Sequence, residues 1–319
     1  MLWQRLLFGT LMIAAVGGLA TLDGWLSARG LGGPAVRTGF DAASGVFCGL
    51  PLALLVMVLV VLGSYELGEL CRAGGYKPVT HWAAFVGAGL TIVPWVEMQR
   101  RVGPAGSLTP LAPVDLSLTV LWLTGGVLGA SLAVLARKTT ERAIGNLGAT
   151  LLIVLYLGLL GSFVVRIRCL GVGPSGSALV AFFILTVKSG DIGAFFAGKL
   201  LGKHKLVPWL SPGKTIEGVV GAAVLASLVA VGGMALWDLL GRVLGPPPLS
   251  FAQAIVFGLL MAVAGHLGDL LESAIKRDAG IKDSGRIVPA FGGFLDVVDS
   301  PLPAAPIAWW LLTIRGPFG

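Results

Sequence analysis

The chain has 319 residues, 55% of them hydrophobic and only 12% charged, with a formal net charge of +7. A mean hydropathy of +0.89 excludes a soluble domain of this size. The basic residues lie in short loops between apolar runs, so they point to membrane orientation and anionic headgroups or substrate rather than to nucleic acid.

The apolar runs have about the 20-residue length that crosses a bilayer core, and they predict an all-α polytopic membrane protein of nine transmembrane helices. Leu6 to Leu22 is the first, read as a retained span rather than a cleaved signal peptide. A Gly-rich loop follows, then Val46 to Leu67, with Glu66 and Glu69 near its end, and the short span Trp82 to Val96. Beyond a Pro-rich loop, Pro104 to Pro113, come Val114 to Ala136 and Leu147 to Val165. The sixth, Ser177 to Leu200, carries Lys188, Ser189 and Asp191 at its centre. Gly218 to Leu240, Phe251 to Ser273 and Pro301 to Ile314 complete the set. The chain thus divides into N-terminal helices, 1–170, and a C-terminal region, 171–319, with charged loops at 199–217 and 274–300. Cys48, Cys71 and Cys169 are scattered, with no His at ligand spacing, which argues against a disulfide framework or a zinc site.

Nine spans put the termini on opposite sides. With the N-terminus cytoplasmic, fourteen Lys and Arg fall inside and eight outside, so the positive-inside bias predicts this orientation and places both charged loops in the cytoplasm.

Residues 265–300 hold the densest charge beside apolar runs. Asp269, Glu272, Ser273 and Lys276 fall at helical spacing on one face, with His266 a turn earlier. Gly292 and Gly293 allow a tight turn before Asp296 and Asp299. Carboxylates from both segments would make an oxygen-rich pocket for Mg²⁺, and the neighbouring Lys and Arg would hold phosphates, so a metal–polyphosphate ligand fits. The plainer alternatives are a solvated helix end for the first group and an Asp cap at a helix start for the second. Lys188 and Asp191 read either as part of a polar pocket or as a neutralising i,i+3 pair. Ser211 to Thr215, SPGKT, is not a phosphate-binding P-loop, because its first glycine would fall at Pro208. Thr215 to Glu217 reads instead as a helix start, where free N–H groups favour phosphate.

The segment SAIKRDAGIKDSGRIVPAFGGFLDVVDS, with GDLLES before it, closely resembles the signature of the phosphatidate cytidylyltransferases, also called CDP-diacylglycerol synthases. Ser273, Lys276, Arg277, Lys282, Asp283, Pro289, Gly292, Gly293, Asp296 and Asp299 match its pattern, and residues 191–218 resemble the family's other cytoplasmic stretch. Phe291 stands where the family has His, and Val297 where it has Arg.

The resemblance implies transfer of the cytidylyl group of CTP to phosphatidate, with release of pyrophosphate, at the cytoplasmic face of the cell membrane. Asp269 and Asp296 would bind Mg²⁺, with Asp299 assisting and a second cation as an option. Lys276, Arg277, Lys282 and Arg286 would hold the CTP phosphates and stabilise the leaving pyrophosphate, with Asp283 a further catalytic residue. Ser211, Lys214 and Thr215 would contact phosphate of CTP or lipid, and Glu217, Ser273, Gly292 and Gly293 would be further substrate-binding residues. Lys188 and Asp191 would complete the pocket. A homodimer is also implied, although 48 glycines suit tight packing within one subunit equally well. The rival readings are a CTP-dependent transferase or kinase for another membrane lipid, such as a polyprenol, a transporter using Lys188 and Asp191, and a catalytically silent scaffold.

Overall fold

Inside a bilayer the backbone has no water to bond, so apolar runs of this length close their N–H and C=O groups into helices. The structure is a computed structural model, and it describes Gly18 and residues 49–101, 117–171, 173–281 and 293–315. Helix α1 is Leu50–Ala73, α2 Thr80–Arg101, α3 Ser117–Leu135, α4 Ala143–Arg168 and α5 Pro174–Leu201. A hairpin of β1 (Lys205–Val207) and β2 (Ser211–Thr215) leads into α6, Ile216–Leu239. Then follow α7 (Gly241–Leu244), α8 (Phe251–Asp278), α9 (Leu295–Val298) and α10 (Pro301–Arg315).

The protein is an all-α polytopic membrane protein. Among the described residues, seven helical stretches are long and apolar enough to cross a membrane. They correspond to the expected second span and the fourth to ninth. The expected third span is the 22-residue helix α2, whose last turns carry Glu97, Arg100 and Arg101 and which is not among the seven. The first apolar run, apart from Gly18, and the Pro104 to Pro113 loop lie outside the described residues. Helix α1 runs past the expected end to Ala73, so Glu66 and Glu69 are helical.

Helix starts follow local chemistry. Proline occupies the first turns of α1 and α5, where a missing N–H costs nothing. Ser250 and Gln253 close a capping box on α8. The Thr215 hydroxyl accepts from the Gly218 N–H at 3.1 Å and caps α6.

Polar contacts gather the ends of alternate helices. At one end, Arg72 donates to the Thr80 hydroxyl at 3.0 Å, Arg142 donates to the Gly75 carbonyl at 2.8 Å, and Arg137 donates to the Lys77 carbonyl. The end of α8 and the start of α6 meet here too, through Lys214 and Asp269. At the other end, Arg166 pairs with Glu97 at 3.1 Å and donates to the Thr119 hydroxyl at 2.5 Å. The apolar core runs between the two ends, with Leu67, Leu90, Leu157, Phe183, Phe257 and Met261 almost wholly buried.

Candidate active site

The final turns of α8 build one wall. Asp269, Glu272 and Lys276 share its inward face, as their spacing predicts. Gly268 is what lets the second wall approach. A Cβ there would strike the Asp299 carbonyl oxygen and lie 2.8 Å from Pro303 Cγ. Asp299 therefore sits directly against α8, and each of Asp269, Glu272 and Asp299 offers an oxygen within 4.8 Å of the others. Glu272 is 2% exposed and Asp299 7%. Asp269 lies nine residues before the end of α8, which at 1.5 Å per residue recesses the cluster about 14 Å from that end.

Cationic side chains ring these carboxylates. Lys214, from the hairpin, reaches Asp269 at 2.8 Å. Lys276 lies 3.3 Å from Glu272 and 2.5 Å from Asp296. Lys188 pairs with Asp191 at 3.0 Å, and the Ser300 hydroxyl lies 3.0 Å from both Asp191 and Asp299. The intramembrane pair of α5 is thereby tied to the cluster instead of standing alone in its helix.

A third support comes from the N-terminal half. Glu66 of α1 is 4% exposed and accepts from the backbone N–H groups of Phe294 at 2.8 Å and Leu295 at 3.4 Å. One turn earlier, a Cβ on Gly63 would lie 3.0 Å from the Phe294 ring. Helix α1 thus holds the segment that carries Asp296 and Asp299.

The structure brings together Asp269, Asp299, Lys276, Lys214, Lys188 and Asp191 of the expected site. Asp296 adjoins this group through Lys276, and its other carboxylate oxygen accepts from the Gly293 N–H at 2.9 Å. The third carboxylate of the converging set is Glu272, not Asp296. The expectation had placed Glu272 on the right face without giving it a ligand role. Thr215 is occupied as the cap of α6. Glu217 holds the hairpin, accepting from the His204 backbone N–H at 3.3 Å and lying 2.6 Å from His204 Nδ1. Their hydrogen bonds therefore serve the local fold. Ser211 lies in β2 and Ser273 on α8, both partly buried, whereas Arg277 is exposed. His266 bonds the Ala262 carbonyl of its own helix at 3.0 Å. Lys282, Asp283, Arg286, Phe291 and Gly292 lie outside the described residues.

Glu66 escaped the sequence reading as a site residue, although an acid inside an apolar helix was a usable signal. Glu272 had its signal too, in the i,i+3 spacing to Asp269.

Among the described residues, Glu272 Oε1 and Lys214 Nζ are buried without a hydrogen-bond partner. Each has an opposite charge nearby, Lys276 and Asp269 respectively, but no aligned bond to it. Buried charge of this kind is unfavourable unless something further satisfies it. Three converging carboxylates form an oxygen-only donor set suited to a hard divalent cation, and the surrounding lysines suit phosphate.

Residues 40–315 match the cytidylyltransferase family. An uncharacterized protein of Escherichia coli, YnbB, is 38% identical over 139 residues, 43% of this chain and 43% of that protein. The phosphatidate cytidylyltransferase of Bacillus subtilis is 36% identical over 169 residues, 53% of this chain and 59% of its own. The match to the phosphatidate cytidylyltransferase of Mycobacterium bovis is longer, 30% identity over 305 residues, 87% of this chain and 90% of that enzyme. The chain therefore spans about half the length of the first two relatives and most of the third.

Proposed function

The chain belongs to the cytidylyltransferase family, and from that premise we propose that it transfers the cytidylyl group of CTP to phosphatidate, giving CDP-diacylglycerol and pyrophosphate. The observation that carries this reading is the meeting of Asp269, Glu272 and Asp299 at the charged end of a helix bundle. A solute path would need no such trio, and Lys188 and Asp191, the pair that had suggested one, close on Ser300 beside it.

The carboxylates fit Mg²⁺. All three donors are oxygens, two of them are nearly buried, and Glu272 Oε1 has an unmet hydrogen-bonding capacity. Asp269, Glu272 and Asp299 would hold the ion, with Asp296 close by on Lys276. When bound, it supplies positive charge against the triphosphate and polarises the phosphoryl oxygens.

The remaining task falls to the chain's own groups. Both substrates are anions, so neutralising their charge dominates the barrier. A non-ester phosphate oxygen of phosphatidate forms a bond to the α-phosphorus of CTP. The bond from that phosphorus to the bridging β-phosphate oxygen breaks, and pyrophosphate leaves with the electron pair. Phosphatidate is already ionised near neutral pH, so no general base is required. Lys276 and Lys214 hold phosphate oxygens from two sides. Lys188 keeps Asp191 and Ser300 in register with Asp299. Arg277, in the last turn of α8, adds positive charge for the triphosphate, and Lys282 and Arg286, which come after the helix in the sequence, would add more.

The protein lies in the cytoplasmic membrane as a homodimer, with this site facing the cytoplasm. The loop charge bias supports that orientation, because the charged loops and the carboxylates share one end. Helix α8 has 28 residues. It is therefore about 42 Å long, some 12 Å more than a hydrocarbon core. If that excess projects at the charged end, the recessed carboxylates stand at the edge of the core, where a lipid phosphate resides.

The test is purified protein with CTP, phosphatidate and Mg²⁺, read by pyrophosphate release and by appearance of CDP-lipid. A polyprenol or diacylglycerol acceptor runs in parallel. Turnover of either in preference to phosphatidate, or no turnover of any acceptor, rejects the assignment.

A further inference from the structure

Helix α4 supplies nothing to the site described so far, yet it is interrupted by a π-helical turn, Val154–Leu159. Such turns often mark functional positions, because the extra residue re-aims a side chain that a regular helix would direct elsewhere. Tyr156 lies in this turn. It is 4% exposed, and among the described residues its hydroxyl has no hydrogen-bond partner. A buried hydroxyl left unpaired is unfavourable and uncommon.

Its neighbourhood shows what it faces. Leu157 and Phe294 both abut Gly63, which brings the π turn beside the acidic segment. Burial is the main influence on the Tyr156 phenol, and Asp299, Glu272 and Asp269 are the charged groups near enough to act on it as well. These are the three converging carboxylates. Of the four buried polar atoms without a hydrogen-bond partner among the described residues, Glu272 Oε1 and Lys214 Nζ belong to the same place, and Trp237 Nε1 is the exception. An acid and an amine that are ion-paired but without an aligned hydrogen bond, and a phenol with no partner, thus gather beside the same carboxylates, as expected where a polar ligand enters from outside the chain.

We propose that Tyr156 is a positioning residue for the cation: its O–H donates to an oxygen ligand, a water or a phosphate oxygen, of the ion held by Asp269, Glu272 and Asp299. The inference rests on the reading of those carboxylates as a cation site. A phenol suits the place. It brings a donor to a crowd of acceptors, and it adds no charge that would compete with the ion. Groups that orient a metal's ligands in this way typically change metal affinity by one to two orders of magnitude when removed.

The experiment uses the full chain, purified in detergent, with Mn²⁺ titrated in place of Mg²⁺ and free Mn²⁺ followed by electron paramagnetic resonance. Wild type, Tyr156→Phe and Asp269→Asn are compared. Tyr156→Phe keeps the ring and its packing, and it should bind Mn²⁺ about tenfold more weakly. Its metal-free Tm should stay level or rise, because an unpaired buried hydroxyl has gone. At saturating metal its KM for CTP should match wild type. Unchanged Mn²⁺ affinity overturns the proposal, and so does a lowered metal-free Tm, which would assign the hydroxyl to the fold. Asp269→Asn isolates the underlying premise: if it binds Mn²⁺ as wild type does, the carboxylate site itself is wrong, whatever Tyr156→Phe does.

Discussion

Replacing Glu66 by alanine removes the acceptor shared by the Phe294 and Leu295 backbone N–H groups. The bond to Phe294 is 2.8 Å long and the one to Leu295 3.4 Å, so most of the interaction lies in the first. A hydrogen bond to a carboxylate is worth about 1.5–3 kcal/mol, and a buried N–H left bare costs about 1–3 kcal/mol. These overlap, and we expect a total of about 2–4 kcal/mol. Asp296 and Asp299 lie only two and five residues beyond Phe294, so the loss falls on the segment that aims them. Were about 3 kcal/mol felt entirely in that aim, CDP-lipid formation would fall about a hundredfold. Glu66→Gln keeps one carbonyl oxygen for the Phe294 N–H and should recover much of the rate. The assay pairs the rate with amide hydrogen exchange at Phe294 and Leu295. Wild-type rate together with wild-type protection in Glu66→Ala would refute the argument that α1 holds the acidic segment.

Three further outcomes follow from the same geometry. Gly268→Ala must push the Asp299 carbonyl away from α8; activity should drop at least tenfold while the protein still folds in detergent, as judged by Tm, and an active variant would disprove the close approach. Asp269→Asn and Glu272→Gln should each raise the Mg²⁺ concentration needed for half-maximal rate, since each removes one ionic oxygen of the trio; an unaltered Mg²⁺ curve in both would move the cation elsewhere. Arg166→Met breaks the buried ion pair with Glu97 at the opposite end of the bundle. It should destabilise by about 3–5 kcal/mol and leave the Mg²⁺ curve unchanged, which thermal unfolding and a metal titration check together.

The fold class was legible in the sequence because membrane physics is local. A run of apolar residues long enough to span must be helical, whatever surrounds it, and the expected spans within the described residues recur as helices. The site was legible in part for the same reason. Helical spacing put Asp269, Glu272 and Lys276 on one face, and charge beside apolar runs marked both acidic segments. The sequence alone does not say which carboxylates finally meet. Asp296 and Asp299 are three residues apart, yet one turns to Lys276 and the other joins Asp269 and Glu272. That choice depends on how closely α8 and α10 approach, which Gly268 permits and packing decides. Glu66 and Phe294 are 228 residues apart, and Tyr156 reaches the site from a helix whose apolar pattern marks it only as a span. Periodicity along one helix fixes a face and a depth, whereas the rotation of one helix against another is set by side chains distant in the chain, and only the packed bundle contains that information.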